Sequence, residues 1–111
     1  MIVHCSLWKF KDGTSPELVE DIVQRWRALE AIVPSVRKIE AGPDLGNWDE
    51  NYDIAALIYF DGPEGYESYR TNEDHLAFAM EFLVPNIDGL HMRAAVQFTL
   101  PDMAAQRDMR Y

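Results

Sequence analysis

The stretch that decides the fold is residues 2–10, Ile-Val-His-Cys-Ser-Leu-Trp-Lys-Phe. It is typical of a β-strand, whose side chains point alternately to two faces. The first face carries Ile2, His4, Ser6 and Trp8, and the second face carries Val3, Cys5 and Leu7. Because both faces carry bulky side chains, we expect both to be covered by other parts of the protein.

Five further elements are predicted after this strand. A helix starts at the Thr14–Glu17 segment and is closed by Pro34, with an apolar stripe at helical spacing between them. The remaining elements are strands over residues 36–41 and 52–60, a helix that starts near Pro63 and breaks near Asn72, and a strand over residues 90–100. The order β-α-β-β-α-β is the pattern of a ferredoxin-like α+β fold with both helices on one face of the sheet.

A sheet that carries helices on one face leaves its other face open. Strands one and three carry bulky side chains on both faces, and an exposed apolar sheet face would be unusually large for a monomer. We therefore predict a homodimer in which a second subunit covers this face.

The composition indicates one domain and narrows the class of partners. The chain has 111 residues, of which 48% are hydrophobic, and this predicts a single domain over residues 1–100 followed by a C-terminal tail over residues 101–111. The formal net charge of -9 disfavours nucleic acid and anionic membranes as partners. Cys5 is the single cysteine, so we expect no intrachain disulfide. Because the sequence shows no long apolar run and no leader segment, we also expect a cytoplasmic location.

The candidate chemistry lies in residues 69–75, Tyr-Arg-Thr-Asn-Glu-Asp-His. The phenol of Tyr69 and the imidazole of His75 stand on either side of the predicted helix break. Histidine has an ordinary pKa of about 6.5 and can act as base or acid, whereas a tyrosine hydroxyl can donate to a developing oxyanion without ionising. The structural alternative is a phenol at the rim of the core and an imidazole that caps a helix.

Five stretches of the sequence resemble the stress-responsive A/B barrel domain family, often called Dabb, including its olivetolic acid cyclase-like members. They are residues 3–12, 29–36, 42–45, 52–53 and 69–75, and the resemblance extends from Ile2 to Leu100. It implies a dimeric α+β barrel, in which the open sheet faces of two subunits pack together and each subunit keeps a pocket between sheet and helices. Most members have no assigned chemistry, but the cyclase closes a linear polyketide by an intramolecular aldol reaction without metal or organic cofactor.

The resemblance also assigns roles to individual residues. It places His75 in the position of the catalytic histidine and Tyr69 in that of the assisting tyrosine. The substrate-binding residues expected on the pocket wall are His4, Ser6, Trp8, Ile22, Val23, Trp26, Ala56, Ile58 and Phe78. The chain departs from the family at residues 72–75, where the usual His-Pro-x-His segment is Asn-Glu-Asp-His. The size of Trp8 and Trp26 favours a flat aromatic or short substrate over a long alkyl tail.

These observations predict a cofactor-independent lyase, cyclase or isomerase that acts on a small aromatic or polyketide-like carbonyl compound. One alternative is a homodimer that binds such a small molecule without converting it, or a stress-response dimer whose pocket is incidental. Another is a heme- or oxygen-using enzyme of a similar barrel fold, with His4 or His75 as the axial ligand. No metal site is predicted, because His4, His75 and His91 lack ligand spacing and the acidic loop over residues 43–53 lacks the pattern of a calcium site.

Overall fold

The computed structural model describes residues 1–101, so the predicted tail lies outside the described residues except for Pro101. The strands are β1 (Ile2–Trp8), β2 (Lys38–Pro43), β3 (Ile54–Phe60) and β4 (Arg93–Thr99), and the α-helices are α1 (Pro16–Ile32), α2 (Pro63–Thr71) and α3 (Glu73–Phe78). A π-helical turn (Ala79–Leu83) and a 3-10 turn (Val84–Asn86) continue α3, and a second 3-10 turn (Leu90–Met92) precedes β4. The predicted element order and the helix break at Asn72 are confirmed.

The four strands form one antiparallel sheet in the order β2-β3-β1-β4. Strand β1 is central, and its Ser6 pairs with Ala56 of β3 on one side and Ala95 of β4 on the other. Two residues further along β1, Trp8 pairs with Arg93 of β4. This arrangement of two interleaved βαβ units is the ferredoxin-like α+β fold that the sequence predicts.

The core lies between the sheet and the helices. Helix α1 begins at Pro16 and is capped by Ser15, whose Oγ accepts a hydrogen bond from the Leu18 main-chain N–H over 3.1 Å. Its buried residues Ile22, Val23, Trp26 and Leu29 follow helical spacing and pack on the sheet. The sheet contributes Trp8, Ile54, Ala56, Ile58 and Phe60 to the same cluster. The side of the sheet that carries His4, Ser6 and Trp8 is therefore the helix-covered side.

Within residues 1–101, no helix packs on the second side of the sheet, and this side is largely apolar. Val96 and Phe98 of β4 are 58% and 50% exposed there, while Cys5, Leu7 and Leu57 are half-buried. We refer to this side as the outer face. Across residues 1–101, each helix falls short of the length and apolar character that a bilayer-spanning segment needs.

All four strands begin or end at residues other than those predicted; β3, predicted over residues 52–60, begins at Ile54. Local structure explains the bounds of the other three. Strand β1 ends at Trp8 because the Phe10 main-chain N–H donates to the carboxylate of Asp53 over 2.6 Å instead of to a neighbouring strand. Strand β2 starts at Lys38 because Val36 donates to the Val33 carbonyl in a turn after α1. Strand β4 starts at Arg93 because residues 90–92 form the 3-10 turn.

Candidate active site

A cavity of about 320 Å³ opens on the helix-covered side of the sheet, and we call it the central cavity. Its wall is built from β1, α1, α2, the helical segment after Asn72 and the first residue of β4. The residues that line it are His4, Ser6, Trp8, Trp26, Tyr66, Tyr69, Arg70, His75, Ala79, Leu83, Val84 and Arg93.

Tyr69 occupies the last turn of α2 and is 2% exposed. The indole Nε1–H of Trp26 donates to its hydroxyl oxygen over 3.0 Å. This bond uses a lone pair of the oxygen and leaves the hydroxyl proton for a second partner. Burial raises the pKa of the Tyr69 phenol well above its ordinary value, although the Trp26 hydrogen bond opposes the shift. Tyr69 therefore stays protonated and is a hydrogen-bond donor at neutral pH.

His75 lies in the first turn of α3, directly after the helix break. The side-chain Oδ1 of Asn72 caps this helix by accepting from the main-chain N–H groups of Asp74 and His75 over 2.8 and 3.2 Å. The imidazole packs on the Tyr69 ring with their centroids 4.0 Å apart. Burial lowers the pKa of His75, and the main chain of Arg70 partly opposes this. Its Nδ1 is buried and has no partner among the described residues.

His4 is a second imidazole on the same cavity wall. Its ring packs on Tyr66 with the centroids 4.8 Å apart, and its Nδ1 is buried without a partner in residues 1–101. Burial lowers the pKa of His4, and the charges of His75 and Arg93 lower it further. The cavity thus holds two histidines that favour the neutral form, which is the form that accepts a proton.

Ser6 and Trp8 form a polar pair between these aromatic residues. The Trp8 indole Nε1–H donates to Ser6 Oγ over 2.7 Å, and both side chains are buried. The arrangement repeats that of Trp26 and Tyr69, since in each pair an indole saturates one lone pair of a hydroxyl group. Both hydroxyl groups keep a proton to donate within the same cavity.

The structure brings six of the sequence-predicted site residues to the central cavity: His4, Ser6, Trp8, Trp26, Tyr69 and His75. The other predicted wall residues are not part of its lining. Ile22, Val23, Ala56 and Ile58 are fully buried in the core, and Phe78 packs on Trp26 with the ring centroids 5.5 Å apart. Phe78 instead lines a different groove, between α1 and α3.

Sequence reasoning missed several cavity residues, among them Tyr66, Arg70 and Arg93. Tyr66 had a usable signal, because it precedes Tyr69 by one helical turn and shares its helix face. Arg93 alternates with Met92 and Ala94, but only the pairing of β4 with β1 places it beside Trp8. Leu83 and Val84 reach the cavity where the π-helical turn passes into the 3-10 turn, and the sequence carries no clear signal for this junction.

Metal-ligating side chains do not cluster in the described part of the chain. No three His, Cys, Asp or Glu side chains converge within residues 1–101 in a way that would hold a metal ion.

The sequence pattern of the family described as "Stress responsive A/B Barrel Domain" matches residues 2–99. The chain belongs to this family. A curated relative from Arabidopsis thaliana, the stress-response A/B barrel domain-containing protein HS1, is 27% identical over 84 residues, which cover 74% of this chain and 77% of HS1.

Solved structures of other proteins share the fold of this chain. A dimeric ferredoxin-like protein of unknown function from Thermobifida fusca is 32% identical, with a TM-score of 0.76 over 89% of this chain and 90% of that chain. The hydroxynitrile lyase from Passiflora edulis is 18% identical, with a TM-score of 0.74 over 92% of this chain and 94% of that chain. The second likeness concerns the fold alone.

Proposed function

We propose that this A/B barrel protein is a cofactor-independent acid–base enzyme of the lyase, cyclase or isomerase type, acting on a small aromatic or polyketide-like carbonyl compound. The contact between the Tyr69 and His75 rings, 4.0 Å between centroids at the wall of a cavity, carries this proposal. Burial keeps His75 in its basic form and Tyr69 in its donor form near neutral pH. A base beside a hydrogen-bond donor is what enolate chemistry requires.

In the proposed mechanism His75 removes a proton from the carbon next to the substrate's carbonyl group. The electron pair of that C–H bond moves into the carbonyl, and Tyr69 donates its O–H to the resulting enolate oxygen. In a cyclase the enolate carbon attacks a second carbonyl of the same molecule, and the alkoxide that forms takes the proton from the imidazolium. In an isomerase a carbon atom takes that proton back instead. A lyase runs the carbon–carbon bond-forming step in reverse. The Passiflora lyase has the same fold, so this architecture is compatible with a lyase.

We propose further that the protein is a homodimer joined through the outer face. Two exposed apolar residues of β4, Val96 and Phe98, support this assignment. The Thermobifida relative is described as dimeric and matches 89% of this chain.

A proton-exchange experiment tests the catalytic proposal without knowledge of the complete substrate. The protein is incubated in D2O with a panel of β-keto esters and hydroxyaryl ketones, and deuterium incorporation next to the carbonyl is followed by NMR. We expect catalysed exchange with the wild type, a decrease of about 10²- to 10⁴-fold in His75→Ala, and a decrease in Tyr69→Phe.

The matched control is His91→Ala, because His91 is exposed and lies outside the central cavity. If both His75→Ala and Tyr69→Phe incorporate deuterium into the substrate at the wild-type rate, with thermal unfolding unchanged, the proposed acid–base role of these two residues is ruled out. Saturable binding without exchange in the wild type instead indicates a protein that holds such molecules and does not convert them.

A further inference from the structure

The charge around the central cavity is opposite to that of the whole chain. The sequence has 19 acidic and 10 basic residues, yet no acidic residue lines this cavity. An adjoining cleft of about 360 Å³, which shares His4, Ser6, Tyr66 and Arg93 with it, has no acidic lining residue either. Three other clefts in residues 1–101 each include carboxylates: Asp44 and Glu50 in one, Asp12 and Glu20 in another, and Asp74 and Glu81 in a third.

Arg93 is the basic residue best placed to bind an anionic ligand in the central cavity. It is the first residue of β4, pairs with Trp8 across the sheet, and lines both the central cavity and the adjoining cleft. Its guanidinium carbon lies 5.6 Å from the centre of the Trp8 ring. Among the described residues no carboxylate lies within ion-pair distance of Arg93, whereas Arg70 is paired with Glu67 over 2.9 Å. The charge of Arg93 is therefore available to a ligand.

The strand next to Arg93, β1, supplies a neutral hydrogen-bond donor, the hydroxyl of Ser6. Ser6 pairs with Ala95, two residues beyond Arg93, so Ser6 and Arg93 are diagonal neighbours on the helix-covered side. Because Trp8 saturates one lone pair of the Ser6 hydroxyl, that hydroxyl is oriented to donate. A planar guanidinium with an adjacent hydroxyl donor fits a carboxylate, which accepts two parallel hydrogen bonds from arginine.

We propose that the central cavity takes a substrate that carries a carboxylate, that Arg93 binds this carboxylate together with Ser6, and that the substrate's flat part lies along Trp8. The proposal rests on the proposed function, because it names the substrate class of the same cavity. It also explains how an acidic protein binds an anion, since the positive charge is confined to the cavity wall.

A binding experiment with two matched ligands tests this assignment. The probes are 2-hydroxybenzoate and its neutral isostere 2-hydroxybenzamide, titrated into 15N-labelled protein while the indole Nε1–H signals of Trp8 and Trp26 are followed by NMR. A Trp48→Phe variant identifies the signal of the exposed loop tryptophan. We expect the carboxylate to bind about tenfold more tightly than the amide, as one charge-assisted contact predicts.

Variants of Arg93 test whether this residue causes the preference for the carboxylate probe over the amide. Arg93→Gln should bind the two probes equally, Arg93→Lys should keep part of the preference, and Arg37→Gln, which removes an exposed arginine paired with Asp61, should keep all of it. Equal binding of both probes by the wild type, a preference that survives in Arg93→Gln, or the absence of any indole shift with the carboxylate overturns the proposal.

These outcomes are independent of the catalytic proposal. The titration requires no turnover, so carboxylate preference can be observed in a protein that shows no deuterium exchange. Conversely, the protein could catalyse deuterium incorporation into neutral β-keto esters and bind the two probes equally. That result would refute the role of Arg93 and retain that of His75.

Discussion

The imidazole of His75 lies against the phenol ring of Tyr69, with 4.0 Å between the ring centroids and 35° between the ring planes. The two residues belong to different helices, α2 and α3, and Asn72 ends the first and caps the second. A continuous helix would point residues six apart in directions about 120° from each other, because the helical repeat is 3.6 residues. The break at Asn72 is therefore what brings the two functional groups together.

The first prediction concerns the Asn72 cap. Asn72→Ala removes the acceptor of the Asp74 and His75 main-chain N–H groups and should lower the free energy of unfolding by about 1 kcal/mol. It should also reduce deuterium exchange, because His75 loses the contact that fixes the start of α3. Urea denaturation and the exchange assay measure the two effects.

Ser15→Ala is the matched control, since Ser15 caps α1 through its Oγ at a site remote from the helix break. It should lower stability by a similar amount and leave exchange unchanged. Asn72→Asp should keep both the wild-type stability and the wild-type rate of deuterium exchange, because an aspartate caps a helix equally well. An Asn72→Ala protein with wild-type exchange would show that the cap does not position His75.

The second prediction concerns the buried bond between Trp26 and Tyr69. Tyr69→Phe leaves the Trp26 indole N–H without its acceptor and should lower the free energy of unfolding by about 1–3 kcal/mol. In a Trp26→Phe background the same substitution should have a smaller effect, because no donor is left unpaired. A double-mutant cycle by urea denaturation gives the coupling energy, and a coupling of zero contradicts the assigned hydrogen bond.

The element order and the faces of the elements could be predicted from local patterns. Alternation placed His4, Ser6 and Trp8 on one face of β1, helical spacing gave the buried side of α1, and the side chain of Asn72 predicted the break. These features depend on neighbours within a few residues. The ends of the strands depended on distant groups, as the bond between Phe10 and the Asp53 carboxylate illustrates.

The composition of the cavity was less predictable, because a periodic pattern gives the face of a residue and not its depth. Ala56 and Ile58 share the helix-covered side of the sheet with Ser6 and His4, yet they are fully buried and line no part of the cavity. Arg93 became part of the site only through the register between β4 and β1. That register is a long-range property which no local sequence signal records.

The third prediction concerns pH and stability. Burial lowers the pKa of His4 and His75 below 6.5, so both bind protons more readily in the unfolded chain than in the folded protein. Stability should therefore decrease as the pH falls through 6.5 and level off below the lowered pKa values. Urea denaturation between pH 7 and pH 5 measures this decrease.

Substitution of the two histidines tests the cause of the effect. His4→Gln and His75→Gln should each make the decrease smaller, and the double variant should make it smaller still. Because the charge of His75 also lowers the pKa of His4, the two substitutions should not be strictly additive. A double variant that loses stability between pH 7 and pH 5 as steeply as the wild type would assign the effect to other groups.

The fourth prediction concerns the outer face. If a second subunit covers Val96 and Phe98, Val96→Asp buries an unpaired carboxylate in the interface, which costs several kcal/mol and should raise the dissociation constant more than about 100-fold. Sedimentation velocity at micromolar concentration should then detect a dimer for the wild type and a monomer for the variant.

Met80→Asp is the matched control, because Met80 is 63% exposed but belongs to the helical layer on the other side of the sheet. This variant should stay dimeric. A wild-type monomer, or a Val96→Asp dimer of unchanged affinity, would mean that the outer face is not the subunit interface.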